Sequence, residues 1–309
     1  MKTAFLFPGQ GAQAPGMGAD LYDHSIIYRQ TFDHCAAAAE MDLKSACFEG
    51  RGMDGSETIQ PAIFTHTVSL LRVLQEAGVT ADVFAGLSLG EYSALCAAGV
   101  MEPAQGAALV RRRGAIMDGA FAPGNGGMLS VIGYTADQLE PFIDAYPNVY
   151  LANHLSALQT VLAGGMEDLL SLKTTLEESG AKMVTLLDVK GPSHCPLLAD
   201  AAEQFLAEMR TMRLGPMNGT VYTNALGAPY PHNADIRTLL CQQMRSRVRW
   251  HDCVEHMLAN KVTRFVEIGP GNVLAKLLKR RAGKEASVKS VRDVATLDAY
   301  LRDCEGEKE

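Results

Sequence analysis

Ala85-Gly86-Leu87-Ser88-Leu89-Gly90-Glu91 reads Gly-x-Ser-x-Gly and joins two segments of opposite character. Before it, Val83-Phe84-Ala85 is a short apolar run of strand type. After it, Glu91 to Ala98 is rich in helix formers and stops at Gly99. Strand, sharp turn, helix is the setting in which such a serine becomes a nucleophile. The two glycines let the backbone take a strained bend, so that the hydroxyl projects from it. The Leu89 amide, at the start of the following helix, would then face an oxyanion forming beside the serine. An ordinary glycine turn would read the same over five residues, so the rest of the chain has to choose.

The totals narrow the class. The chain has 309 residues, 47% of them hydrophobic and 20% charged, the composition of a soluble globular protein of one large domain or a large domain carrying a smaller one. No apolar run approaches the ~20 residues that a spanning helix needs. Met1 to Phe7 carries one charge and is cut by Pro8, too short for a signal peptide. The seven cysteines are scattered without Cys-x-x-Cys spacing, which fits a reduced, cytoplasmic setting. A net charge of −7 argues against general nucleic-acid binding.

Along the chain, Thr3 to Phe7 reads as a buried strand that runs into Pro8-Gly9-Gln10-Gly11, a rigid loop able to bring backbone amides close to a ligand. Leu21 to Glu40 is helical in pattern, and its His24 and His34 read as surface or packing residues. Ile59-Gln60-Pro61 predicts a helix start with proline in the first turn, ended by Gly78, with His66 in its core or at an interface. Pro103 opens another helix to about Asp118. On it Val110, Arg113, Gly114 and Met117 share one stripe, whereas Arg111 and Arg112 point elsewhere, to solvent. A buried guanidinium needs an anion. That anion is either an internal carboxylate or part of a substrate.

Residues 126–190 read as a separate small unit. Strands at Met128–Ile132, Val149–Asn153, Thr160–Ala163 and Lys182–Asp188 alternate with helices at Thr135–Ala145 and Met166–Ser179. This β-α-β-β-α-β order is the ferredoxin-like arrangement. Its exit runs into Gly191-Pro192-Ser193-His194-Cys195-Pro196. Ser193 is a candidate helix cap, His194 a candidate base just past a rigid turn, and Cys195 an alternative nucleophile. Beyond it the α/β alternation resumes, with a strand at Arg264–Ile268 and the loop Gly269-Pro270-Gly271-Asn272. That loop lacks the Lys-Ser/Thr of a nucleotide loop, and nucleotide binding there is rejected.

Phe7-Pro8-Gly9-Gln10-Gly11, Gly86-Leu87-Ser88-Leu89-Gly90-Glu91 and Pro192-Ser193-His194 together resemble the malonyl-CoA:acyl-carrier-protein transacylase family in order and spacing. Gln60-Pro61-Ala62, Arg113-Gly114, Gln159 to Gly164, Val248-Arg249-Trp250 and Glu267 to Gly271 also look like stretches of that family. The resemblance covers nearly the whole chain and implies a stand-alone enzyme. It implies an α/β-hydrolase-like large domain over 1–125 and 191–309 with an inserted ferredoxin-like small subdomain over 126–190. It implies Ser88 as nucleophile, His194 as base, the Gln10 and Leu89 amides as oxyanion hole, and Arg113 as partner of the malonyl carboxylate. Gln60, Met117, Asn153 and Ser193 are assigned by it to the acyl and pantetheine pocket. It also gives the histidine a backbone carbonyl as its orienting group, in the region of Arg249. Many relatives have histidine before the serine; this chain has Leu87, which changes the polarity of the acyl site.

The chemistry so implied is ping-pong transfer of malonyl from malonyl-CoA to the phosphopantetheine thiol of an acidic acyl carrier protein. The setting is fatty acid biosynthesis, with no bound cofactor or metal, no nucleic-acid or membrane partner, and a monomeric protein. Lys276, Lys279, Arg280, Arg281 and Lys284 form a candidate docking face for the carrier, and Arg245, Arg247 and Arg249 a second. The alternatives are a polyketide or malonate-decarboxylase acyltransferase, a serine esterase, and an inactive carrier-binding module. An esterase would want a late histidine in a suitable turn, and His232, His251 and His256 do not offer one.

Overall fold

The computed structural model describes residues 2–306. Its strands are β1 Lys2–Phe7, β2 Val83–Gly86, β3 Gly126–Ile132, β4 Val149–Ser156, β5 Gln159–Gly165, β6 Met183–Leu186, β7 Thr220–Thr223, β8 Ala228–Pro229, β9 Val262–Ile268 and β10 Ser287–Val291. The chain forms two compact units. Of the described residues, the first takes 2–114, 213–222 and 257–306, and the second 115–212 and 223–256.

In the first unit β10, β9, β1, β2 and β7 lie side by side in that order, all parallel. A parallel sheet covered on both faces calls for nearly unbroken apolar strands. Ala4-Phe5-Leu6-Phe7 and Val83-Phe84-Ala85-Gly86 are buried throughout, as are Phe265 to Ile268. The chain moves from β1 to one side through β2 and β7, then returns to the other side with β9 and β10. Ligand sites of open α/β sheets sit outside the carboxyl ends of the strands where the order reverses in this way. Phe7 pairs with Gly86 in register, so the loops that follow β1 and β2 start side by side.

At the end of β9 the carboxylate of Glu267 accepts the Leu274 and Ala275 amides at 3.2 and 2.8 Å. It thereby satisfies donors that the start of the helix Val273–Ala282 would otherwise leave open. The Gly269-Pro270-Gly271 loop therefore serves to seat a helix on a buried side chain. Burial raises the Glu267 pKa, and the two amides pull against that rise.

The second unit contains the antiparallel sheet β4-β5-β3-β6, with helices Ala136–Ile143 and Met166–Glu178 in the β-α-β-β-α-β order. The period-two alternation of β3 decides its two faces. Leu129 and Val131 join Leu139, Leu162, Leu169, Leu172 and Leu176 in one core. Met128 faces the other way, with Ala152, Val161, Ala163 and Cys195. Thr135 caps the first of these helices in a reciprocal capping box with Gln138. The unit extends beyond 126–190 to take in the following helix Ala199–Met209, the helix Ile236–Arg245 and the greater part of the helix Trp250–Ala259.

Several local expectations need correction. The segment from Leu21 to Glu40 is two helices, Ala19–His24 and Ile26–Ala39, because Ser25 turns extended and caps the second by accepting the Tyr28 amide. The helix expected to open at Ile59 begins at Ser56, which leaves Pro61 inside it. Arg111 is half-buried and donates to the Ala39 carbonyl at 2.9 Å, with Glu40 and Glu57 nearby, instead of pointing to solvent. No helix among the described residues is long and apolar enough to cross a membrane.

Candidate active site

Gly-x-Ser-x-Gly forms a true elbow. Ser88 has a φ of 52°, a left-handed backbone that non-glycine residues take up at a cost of about 1–3 kcal/mol. Both glycines are sterically required. A Cβ on Gly86 would stand 1.9 Å from the Gly90 carbonyl carbon, and one on Gly90 would stand 2.0 Å from the Phe7 carbonyl oxygen. The elbow is also tied to the loop after β1. The Leu87 amide donates to the Phe7 carbonyl at 3.0 Å, and Gly9 lies against the Leu87 carbonyl, where a Cβ would come within 2.5 Å. Leu89 stands at the N-terminal end of the helix Gly90–Ala97, and Gln10 lies in the neighbouring turn. Neither of these two amides meets an acceptor among the described residues.

Arg113 is 1% exposed, the second largest of the fully buried side chains. Gly114 makes its position possible: a Cβ there would stand 2.2 Å from the Ser56 carbonyl oxygen, so Pro103–Gly119 packs directly on the first turn of Ser56–Glu76. From that seat the guanidinium donates to the Gln60 side-chain oxygen at 2.8 Å and to the Ser88 hydroxyl at 3.3 Å. Its carbon lies 5.2 Å from the centre of the Tyr92 ring. Ser88, Arg113 and Gln60 therefore meet within the first unit, beside the loops that carry Gln10 and Leu89.

His194 belongs to the second unit. It too has a left-handed backbone, with a φ of 59°, and it is 3% exposed. Its amide donates to the Met244 carbonyl at 3.0 Å, and its Nδ1 lies 2.7 Å from the Gln243 carbonyl. Both carbonyls close the helix Ile236–Arg245, whose last turn has no intrahelical donors for them. A carbonyl can only accept, so Nδ1 carries the proton and Nε2 is left as the acceptor, the form a general base needs.

The orienting carbonyl is thus that of Gln243, not one near Arg249. The Arg249 carbonyl accepts the Cys253 amide, and its side chain reaches Asp252 at 3.4 Å. Ser193 does not cap a helix: a 3₁₀ turn starts at Pro196 without a side-chain cap, and the α-helix starts at Ala199. Cys195 is fully buried in the core under the small sheet, and burial pushes its thiol up to about 11, so it is no alternative nucleophile. Met117 is buried and Asn153 half-buried, the latter at a bulge in β4. Both lie in the second unit, as do Ser193 and Arg249. Gln243 and Tyr92 were missed. The first acts through its backbone, which no side-chain pattern advertises; the second falls one helical turn after Ser88, the signal that could have found it.

The acyl transferase domain family matches residues 4–307 of this chain. Malonyl CoA-acyl carrier protein transacylase of Bacillus subtilis is 34% identical over 307 residues, covering 97% of this chain and 96% of that protein. The crystal structure of malonyl CoA-acyl carrier protein transacylase from Clostridium perfringens superposes with a TM-score of 0.94 at 33% identity, over 100% of this chain and 98% of the other. A malonyl-transacylase solved in complex with a type II polyketide acyl carrier protein superposes with a TM-score of 0.92, also at 33% identity, over 98% of this chain and 100% of that one.

Proposed function

The chain belongs to the acyl transferase family, and on that premise we propose that it moves a malonyl group from malonyl-CoA to the phosphopantetheine thiol of an acyl carrier protein. Ser88 is the nucleophile and His194 the base. His194 Nε2 takes the Ser88 proton as Oγ attacks the thioester carbonyl. The oxyanion accepts hydrogen bonds from the Gln10 and Leu89 amides, each worth on the order of 3 kcal/mol of barrier. When the C–S bond breaks, His194 returns the proton to the departing coenzyme A sulfur. The malonyl-serine ester then meets the carrier's thiol, and the same steps run in reverse.

The observation that carries this reading is the buried Arg113 donating to the hydroxyl of a left-handed Ser88. A serine hydrolase acting on neutral esters has no use for a buried cation beside its nucleophile. A malonyl group ends in a carboxylate that an arginine can pair with through two N–H groups. Gln60 shares the guanidinium, and Met117, Asn153 and Ser193 line the acyl and pantetheine path. We assign the catalytic domain to 1–125 and 191–309, with a ferredoxin-like insert at 126–190. On this reading the protein is monomeric and cytoplasmic and needs no bound cofactor. Fatty acid synthesis is the main setting, and the polyketide carrier bound by one relative makes polyketide assembly the second.

Initial rates with both substrates varied test the reading. Parallel double-reciprocal lines are expected, with no detectable transfer in Ser88→Ala. Intersecting lines, or a Ser88→Ala variant that still transfers malonyl, would overturn it.

A further inference from the structure

We propose that Tyr92 is a positioning residue for acyl selectivity: its ring face holds the Arg113 guanidinium in the orientation that meets the substrate's carboxylate. The inference rests on the reading of Arg113 given above and adds the element that fixes its geometry. Three features converge on this guanidinium from three helices. The close approach at Gly114 sets its height on Ser56–Glu76, and Gln60 accepts one N–H at 2.8 Å. Tyr92 offers a ring 5.2 Å from the guanidinium carbon, within the range of a cation–π contact.

The hydrogen bonds to Gln60 and Ser88 leave from the two terminal nitrogens, so they set the line between those nitrogens and not the tilt of the plane about it. The Tyr92 ring beneath the guanidinium carbon adds a third contact that limits this tilt and so aims the N–H edge. The edge is the part a carboxylate reads, because bidentate pairing requires both groups to be coplanar. Tyr92 is fully buried, so the attraction is not weakened by water. It stands four residues after Ser88, on the helix that the elbow launches. One short segment therefore carries the nucleophile and the group that aims the selectivity residue. Rotation of the guanidinium would misplace a malonyl carboxylate but would not touch an acetyl group, which has nothing to pair.

The test measures kcat/KM for malonyl-CoA and acetyl-CoA in parallel for wild type, Tyr92→Phe, Tyr92→Leu and Arg113→Ala. The ratio of the two substrates is independent of the fraction of protein that folds, so a destabilised variant still reports. Phe keeps the ring and should hold the malonyl-to-acetyl ratio within about twofold of wild type, whereas Leu should lower it roughly tenfold. In Tyr92→Leu the loss should fall on malonyl, with acetyl transfer little changed. A wild-type ratio in Tyr92→Leu, or a Phe variant as unselective as the Leu variant, would overturn the proposal while leaving the Arg113 reading intact. An unchanged ratio in Arg113→Ala would overturn that reading and this proposal with it.

Discussion

Arg113 gives the strongest expectation at the scale of single residues. Its place on a packed stripe was legible from the helix period, and the structure buries it as that stripe requires. The sequence left open whether its anion was internal or borne by a substrate, since its partners come from positions 60, 88 and 92. Arg113→Ala should cut malonyl transfer by the ~3–5 kcal/mol that breaking a buried ion pair costs, a loss of roughly two to almost four orders of magnitude, with acetyl transfer relatively favoured. Equal losses on malonyl-CoA and acetyl-CoA would contradict this. His194 shows what a residue pattern cannot carry. Its identity and the rigid turn before it are written in side chains, whereas its orientation comes from the Gln243 carbonyl. Backbone acceptors are the same at every position, so only the helix end that frees one could have pointed to it.

Among the elements, the elbow is the part the sequence specified most fully. Glycines at 86 and 90 are forced by contacts under 2.1 Å that any Cβ would make with backbone. Gly90→Ala should therefore destabilise the protein by about 1–3 kcal/mol or more, lowering the melting midpoint by several degrees. It should also slow acylation of Ser88, since the strand–turn–helix geometry would have to shift away from the Phe7 carbonyl. A variant with wild-type melting and acylation would show that the elbow tolerates what its geometry forbids. Helix boundaries were less legible. Proline at 61 suggested a first turn, yet the chain starts the helix five residues earlier, at Ser56. Gly55 provides the extended N-cap and accepts the Thr58 and Ile59 amides through its carbonyl. Packing of the almost wholly buried helix outweighs the N–H that Pro61 lacks. The ferredoxin-like order was readable because two amphipathic helices alternate with four strands, and those periods do not depend on distant partners.

For the molecule as a whole, two expectations concern charge. His66 is completely buried, with its Nδ1 2.6 Å from the Tyr28 hydroxyl, and burial pushes its pKa down to about 4. The unfolded chain would take up a proton near pH 6.5 that the folded chain refuses. Stability from this group is complete above that pH and falls as pH drops toward 4. Between pH 6.5 and 5 the wild type should lose about 2 kcal/mol more unfolding free energy than a His66→Gln variant. Urea titrations at the two pH values measure the difference, and identical pH slopes would contradict it. The second expectation concerns the carrier. The chain is net negative, −7, yet Lys276, Lys279, Arg280 and Lys284 lie exposed along and just beyond the helix Val273–Ala282. Charge reversal at Lys279 and Arg280 should raise the apparent KM for an acidic carrier protein and spare that for malonyl-CoA. Equal effects on both substrates would count against docking there. The account as a whole turns on one covalent event, which mass spectrometry of the protein mixed with malonyl-CoA and digested observes directly. The expected result is a malonyl adduct confined to the peptide containing Ser88 and absent from Ser88→Ala. No adduct in the wild type, or an adduct on another residue, would contradict the account.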